Sequence, residues 1–291
     1  MIDQMEWMKA VVDCRQPMNQ QTTSVEPQLS RLTGIRAVIF DVYGTLVISG
    51  SGDVGSVDAT PHDQALGSAL EAVGLPTSEG LTVENLHRQI AALNAARKNE
   101  QCPKPEVDIV EAWRMTLSDA QVECPIETVV RLACQYEARA NPTWPMPGAA
   151  ELLDSLRAAK TPSGIVSNAQ IFTIPLVLDL LDAEDLPAAG FDLDLCVFSN
   201  RYRQAKPGPR LFDVLREALT RQGIRSNEAI YVGNDMLNDV WAASQAGLRT
   251  AWFAGEQRSC RARADDPRCQ SLQPDVVLTS LTQLLQCIEL Q

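Results

Sequence analysis

An aspartate at the tip of an apolar run is the first place where this chain could do chemistry. Residues 37–46 read AVIFDVYGTL, and Ala37, Val38, Ile39 and Phe40 have the pattern of a buried strand ending at Asp41. Gly44 and Thr45 then make a tight turn. A carboxylate at the carboxyl end of a parallel strand can act as a nucleophile or hold a metal. The same Asp could merely cap its turn. Three further polar groups bear on that choice. Ser167-Asn168 end the run SGIVS and could donate to an oxyanion. Lys206 lies in QAKPGP, where Pro207 and Pro209 stiffen the backbone. GNDMLND at 233–239 follows AIYV and presents Asn234, Asp235, Asn238 and Asp239. Singly, these read as a turn, a surface cation and a capped helix start. Four such groups, in order at four strand ends, predict one site.

The elements that must position them follow from periodicity. After a first strand at 36–41, apolar residues recur at helical spacing over 64–73, 82–99, 107–118 and 126–140. The chain turns at Trp144-Pro145-Met146-Pro147-Gly148. An α/β alternation then begins: helix 148–159, strand 163–167, a helix, strand 194–198, helix 208–221, strand 229–232, helix 238–246, strands 249–253 and 275–278, and helix 280–289. That order predicts an α/β protein with a parallel sheet covered on both faces. The helices inserted after the first strand would form a lid over its carboxyl end. The expected division is a flexible N-terminal extension at 1–30, a core at 31–53 and 143–291, and a helical cap at 54–142.

Composition narrows the function classes. The 291 residues carry a formal net charge of −12, which argues against nucleic acid as a partner. Eight cysteines without a CxxC pair, and only His62 and His87, poorly support a zinc site. Reduced thiols are expected, although Cys260 and Cys269 could pair in an oxidising compartment. No stretch approaches the roughly 18 apolar residues of a membrane span. The first 30 residues lack the apolar core of a secretory signal, so a cytoplasmic location is expected.

The four motifs together resemble the haloacid dehalogenase-like hydrolase superfamily, over about residues 35–254. The resemblance implies a Rossmann-like, doubly wound parallel sheet with an inserted α-helical cap at about 54–142. It assigns Asp41 as nucleophile, with Gly44-Thr45-Leu46 completing its motif. Ser167 takes the second motif's hydroxyl, Lys206 the third motif's lysine, and the acids of 233–239 the fourth. Two departures matter. Magnesium phosphatases of the superfamily usually carry a general acid/base Asp two residues after the nucleophile, where this chain has Tyr43. D-x-Y-G-T is the look of the 2-haloacid dehalogenases, which need no metal. GNDMLND leans the other way by retaining two acids. Against the phosphatase pattern G-D-S-x-x-N-D, the first acid falls on Asn234, with Asp235 able to substitute, and Asp239 is the closing acid.

Charge favours the phosphatase. Two unit charges about 4 Å apart interact by roughly 4 kcal/mol at an effective dielectric near 20. A phosphate dianion facing Asp41, Asp235 and Asp239 would need more than Lys206 to offset repulsion. Mg²⁺, held by Asp41, the Tyr43 carbonyl, Asn234 or Asp235, and Asp239, would supply it. The expected activity is a Mg²⁺-dependent phosphatase acting on a small anionic substrate through an aspartyl-phosphate. Thr45, Ser167, Asn168 and Lys206 would bind the phosphoryl oxygens. Tyr43, with an ordinary pKa near 10, is a poor general base. The first alternative is a 2-haloacid dehalogenase forming an ester on Asp41. Arg88 is its candidate halide receiver, although an exposed helix-face residue is the simpler reading. The second is a binding module on the same fold. Trp113 reads as cap core, and the connections at about 50–60 and 142–147 as hinges. No membrane partner is expected, and a homodimer stays open.

Overall fold

Successive side chains of the first strand serve two different cores. Val38 and Phe40 join one apolar cluster, while Ala37 and Ile39 join another. Neighbours along a strand face opposite sides, so a strand apolar throughout must be covered twice. This computed structural model describes residues 4–12, 14–50 and 59–290, with the side chains of residues 4 and 59–61 excluded.

The elements in chain order are α1 (Gln4–Val11), β1 (Ala37–Phe40), β2 (Val47–Ser49), α2 (Ala59–Val73), α3 (Val83–Arg97), α4 (Ile109–Asp119), α5 (Ile126–Ala140) and β3 (Thr143–Pro145). They continue with α6 (Ala149–Ala158), β4 (Ser163–Ser167), α7 (Thr173–Leu180), β5 (Cys196–Phe198), α8 (Ser199–Tyr202), α9 (Arg210–Arg221) and β6 (Ala229–Gly233). Last come α10 (Ala242–Gln245), β7 (Arg249–Phe253), β8 (Val276–Leu278) and α11 (Leu284–Cys287). The main sheet has the order β5-β4-β1-β6-β7-β8, and every pairing in it is parallel. β1 is central, flanked by β4 and β6, and so Asp41, Ser167 and Asn234 emerge from adjacent strand tips. The α/β fold with a parallel sheet covered on both faces, expected from periodicity, is what the chain forms, and it has the doubly wound architecture that the resemblance implied.

The four helices α2–α5 share an apolar core of their own. Trp113 is fully buried there, edge-on to Tyr136 at 5.1 Å between ring centres. Helix caps explain two of the starts: Thr82 accepts from the Asn85 amide, and Asp108 from the amides of Val110 and Glu111. No helix among the described residues is long and apolar enough to cross a membrane. Among the described residues the cysteines form no disulfide, and Cys260 and Cys269 are not joined.

The N-terminal extension, expected to be loose, is anchored at separate points, with most of its described residues exposed between them. Trp7, Ala10 and Val11, at helical spacing, bury against α5 and α7, with Trp7 stacked on Phe172 at 5.7 Å. Further on, Gln20 and Thr23 donate to carbonyls at 254–255, and Gln28 pairs with Val277. Two side chains of the polar lead-in, Gln20 and Thr23, are here donors just past the end of β7. Next to the connections to the helical insertion lies a short ladder. β2 and β3 pair antiparallel, with Val47 opposite Pro145 and Ser49 opposite Thr143. The second connection is thereby paired to the segment just before the first. Residues 51–58, with the expected boundary at 53/54 and most of the first connection, lie outside the described residues.

Candidate active site

β1 ends one residue before Asp41, whose amide donates to the Val232 carbonyl at 2.9 Å and so continues the ladder to β6. The backbone then turns sharply, with Gly44 at φ +80°. A side chain at Gly44 would be strained by that angle. It would also collide with Ser259 and the Asn234 amide, its Cβ lying 2.5 and 2.8 Å from them.

The centre of the site is a buried lysine. Lys206 is only 2% exposed, and its Nζ donates to Asp41 Oδ1 at 2.8 Å, Asp239 Oδ1 at 2.6 Å and the Tyr231 hydroxyl at 2.8 Å. Burial works against the ammonium, but the carboxylates of Asp239 and Asp41 outweigh it and hold the lysine pKa above its ordinary value. Tyr231 donates to the Val166 carbonyl at 2.6 Å, which ties the knot to β4. Asp239 Oδ2 accepts from the Asp235 amide at 2.9 Å. Gly233 leaves room for this return, since a Cβ there would lie 2.4 Å from the Asp239 carboxyl carbon. The Lys206 loop is set by Asn168, whose Oδ1 accepts from the Lys206 amide at 2.7 Å.

The remaining expected residues take less reactive positions. The Thr45 hydroxyl is buried and donates to Asn234 Oδ1 at 3.1 Å. Ser167 is fully buried, and its hydroxyl donates to the Asn168 carbonyl at 3.1 Å. Tyr43 shares a 3.0 Å hydrogen bond with the Thr173 hydroxyl. Burial first, and the charge of Glu137 second, raise the Tyr43 pKa well above that of an ordinary phenol. Acid/base work near neutrality is closed to it. Arg88 is an exposed helix-face residue bonded to Asn85, as its setting suggested.

The expected Mg²⁺ ligands are not arranged to receive the ion. Asp235 accepts from the amides of Leu237 and Asn238, from the Asn238 side chain, and from Arg263, whose Nη2 is 2.5 Å from Oδ2. Asp239 is held by Lys206, and Asn234 donates to the Ser259 carbonyl at 2.6 Å. Among the described residues no three His, Cys, Asp or Glu side chains form a metal-holding group. Mg²⁺ demands near-ideal octahedral oxygen geometry, and this donor set does not fit it. The charge argument from sequence is corrected accordingly. It set Lys206 alone against three carboxylates, whereas Arg263 stands as a second cation beside Asp235.

Sequence reasoning missed four residues near the site. Tyr231 had a signal: a phenol in an otherwise aliphatic strand, two residues before Gly233. Ser259 and Arg263 belong to a polar loop without periodicity. Glu137, on α5, accepts from Asn141 at 3.0 Å, and burial pushes its carboxyl up to about 7.

The chain belongs to the haloacid dehalogenase-like hydrolases: the sequence model of that family matches residues 35–247. It is a hydrolase. Among individual proteins it is similar to the phosphoglycolate phosphatase of Escherichia coli (strain K12), at 26% identity over 90% of this chain and 96% of that protein. The phosphoglycolate phosphatase of Salmonella typhi is 26% identical over 75% of this chain and 81% of its own length. In fold it resembles the 2-haloacid dehalogenase from Pseudomonas syringae pv. Tomato DC3000, with TM-score 0.53 and 22% identity over 86% of this chain and 96% of that one.

Proposed function

We propose that this chain hydrolyses phosphate monoesters of small metabolites through a covalent intermediate on Asp41. The observation that supports this most is the position of Asp41 at a central strand tip, 2.8 Å from a buried lysine. Similarity to phosphoglycolate phosphatases over 90% of the chain is consistent with it. In the first step an Asp41 oxygen bonds to phosphorus while the bond to the leaving alkoxide breaks. Water then cleaves the aspartyl-phosphate and regenerates the carboxylate. Lys206 is the group to meet the anion, as a preorganised cation where charge develops. Thr45 fixes Asn234, and Asn168 fixes the lysine loop. Mg²⁺ is given no step, because the donor set does not fit it. Tyr43 supplies no proton, so esters with good leaving groups should be the better substrates.

A second reading has a specific observation behind it. Tyr43 stands where a proton donor would be, and the acids beside Asp41 carry their own cations. That combination suits attack on carbon, with halide as a leaving group that needs no proton. One experiment separates the two. A panel of phosphate esters including 2-phosphoglycolate is assayed beside 2-chloropropionate with halide detection. Phosphate release, raised by Tyr43→Asp, supports the phosphatase. Halide release without phosphate release sinks it.

A further inference from the structure

The strap at 259–263 closes around the acidic loop that follows β6. Arg261 donates its amide to the Asn234 carbonyl at 3.0 Å, and its carbonyl accepts the Met236 amide at 2.8 Å. This short parallel pairing beside Asp235 brings Arg263, two residues on, over the carboxylate. Its Nε lies 3.2 and 3.0 Å from the two oxygens, and its Nη2 2.5 Å from Oδ2. With two backbone amides and the Asn238 side chain also donating, Asp235 is surrounded by donors on both oxygens. A carboxylate accepts about four hydrogen bonds, so its lone pairs are taken. On the other flank, Ser259 seats against Gly44 and takes the Asn234 amide through its carbonyl. Three carboxylates, Asp41, Asp235 and Asp239, thus face two cations, Lys206 and Arg263.

We propose that Arg263 takes the electrostatic place of a divalent cation at Asp235, so that this hydrolase takes up no Mg²⁺. The inference rests on the placement of Asp235 in the Asp41 site, whichever atom Asp41 attacks. A delocalised guanidinium neutralises the acid in a planar two-oxygen contact and leaves no face for a hydrated ion. Removing it would bare a carboxylate beside two others, an oxygen-rich setting that draws hard cations.

The test reads metal binding and needs no substrate, so it is independent of the activity proposed above. Calorimetric titration with MgCl₂ to about 5 mM, with melting temperature followed in parallel, is run on the wild type, Arg263→Ala and Arg263→Lys. The wild type should show no saturable binding and no Mg²⁺-dependent rise in Tm. Arg263→Ala should gain saturable binding, at least about tenfold tighter than any in the wild type, from the uncovered charge. Arg263→Lys, which keeps the charge but not the two-oxygen contact, should bind Mg²⁺ more weakly than Arg263→Ala. Saturable Mg²⁺ binding to the wild type overturns the proposal by itself, even if Arg263→Ala does not fold. Failure of a folded Arg263→Ala to gain binding overturns it too.

Discussion

Among the described residues, two junctions between the sheet and the helical insertion are built differently. At one, β2 and β3 form a backbone ladder that depends little on side-chain identity. At the other, the loop before α4 is fastened to the loops after β4 and β5. There the Ala205 amide donates to the Lys104 carbonyl at 2.8 Å and the Glu106 amide to the Arg203 carbonyl at 3.1 Å. Glu106 accepts from Ser199 at 2.6 Å and Gln170 at 2.9 Å, and Asp108 pairs with Arg203 at 2.6 Å. Burial pushes the Glu106 carboxyl above its ordinary pKa. This second junction ends one residue before Lys206. The first junction therefore sets where the insertion attaches, and the second couples it to the loop that carries Lys206. The sheet side holds charge in ion pairs around one buried lysine; the insertion side holds it in hydrogen bonds to Glu106 and one partly exposed ion pair, Asp108 with Arg203.

That contrast can be broken at four places. Asp41→Asn, at the knot, should lower hydrolysis by about a thousandfold or more while circular dichroism stays native. Residual activity within tenfold of wild type would remove Asp41 from the nucleophile's role. Lys206→Ala leaves Asp41 and Asp239 buried without their shared cation, and should cost about 3–5 kcal/mol in denaturant unfolding. A cost like that of an exposed ion pair, below about 1 kcal/mol, would show the knot to be wetter than its 2% exposure implies.

On the insertion side the effects should be smaller. Glu137, raised from 4.5 to about 7 by burial, binds its proton more tightly folded than unfolded. Its contribution is complete below about pH 4.5, is lost as pH rises to about 7, and is flat above, at most ~1.4 kcal/mol per pKa unit. Melting temperature followed from pH 4.5 to 7.5 should show this fall, and Glu137→Gln should flatten it. An unchanged profile would remove Glu137 as its cause. Glu106→Gln keeps the shape of the second junction but weakens its hydrogen bonds by about 1 kcal/mol. Amide exchange should quicken at 101–108 and 199–205 and not at β2 or β3. Equal quickening at both junctions would erase the distinction drawn here.

Much of this was readable before any coordinates. Strand ends announce themselves locally: AVIFD and AIYVGND each switch from apolar to acidic within one or two residues. A strand buried on both faces forces that pattern. The insertion's helices showed their spacing for the same reason, since each had one face to bury, and Trp113 was legible as core. The ion pairs were not legible. Arg263 lies 28 residues from Asp235, in a polar loop with no period to read. Glu106 and Ser199 are 93 residues apart. The anchor points of the N-terminal stretch were not legible either, because Gln20 and Thr23 donate to carbonyls after β7 that only the folded chain brings near.

Residue order alone thus determined the α/β class, the nucleophile candidate at Asp41 and the polar tips that accompany it, because burial writes a period into adjacent residues. Tertiary structure alone decided the charge state of the site. Which cation faces which carboxylate is a matter of a few ångströms between distant segments, and Coulomb energy depends on that separation and not on position along the chain.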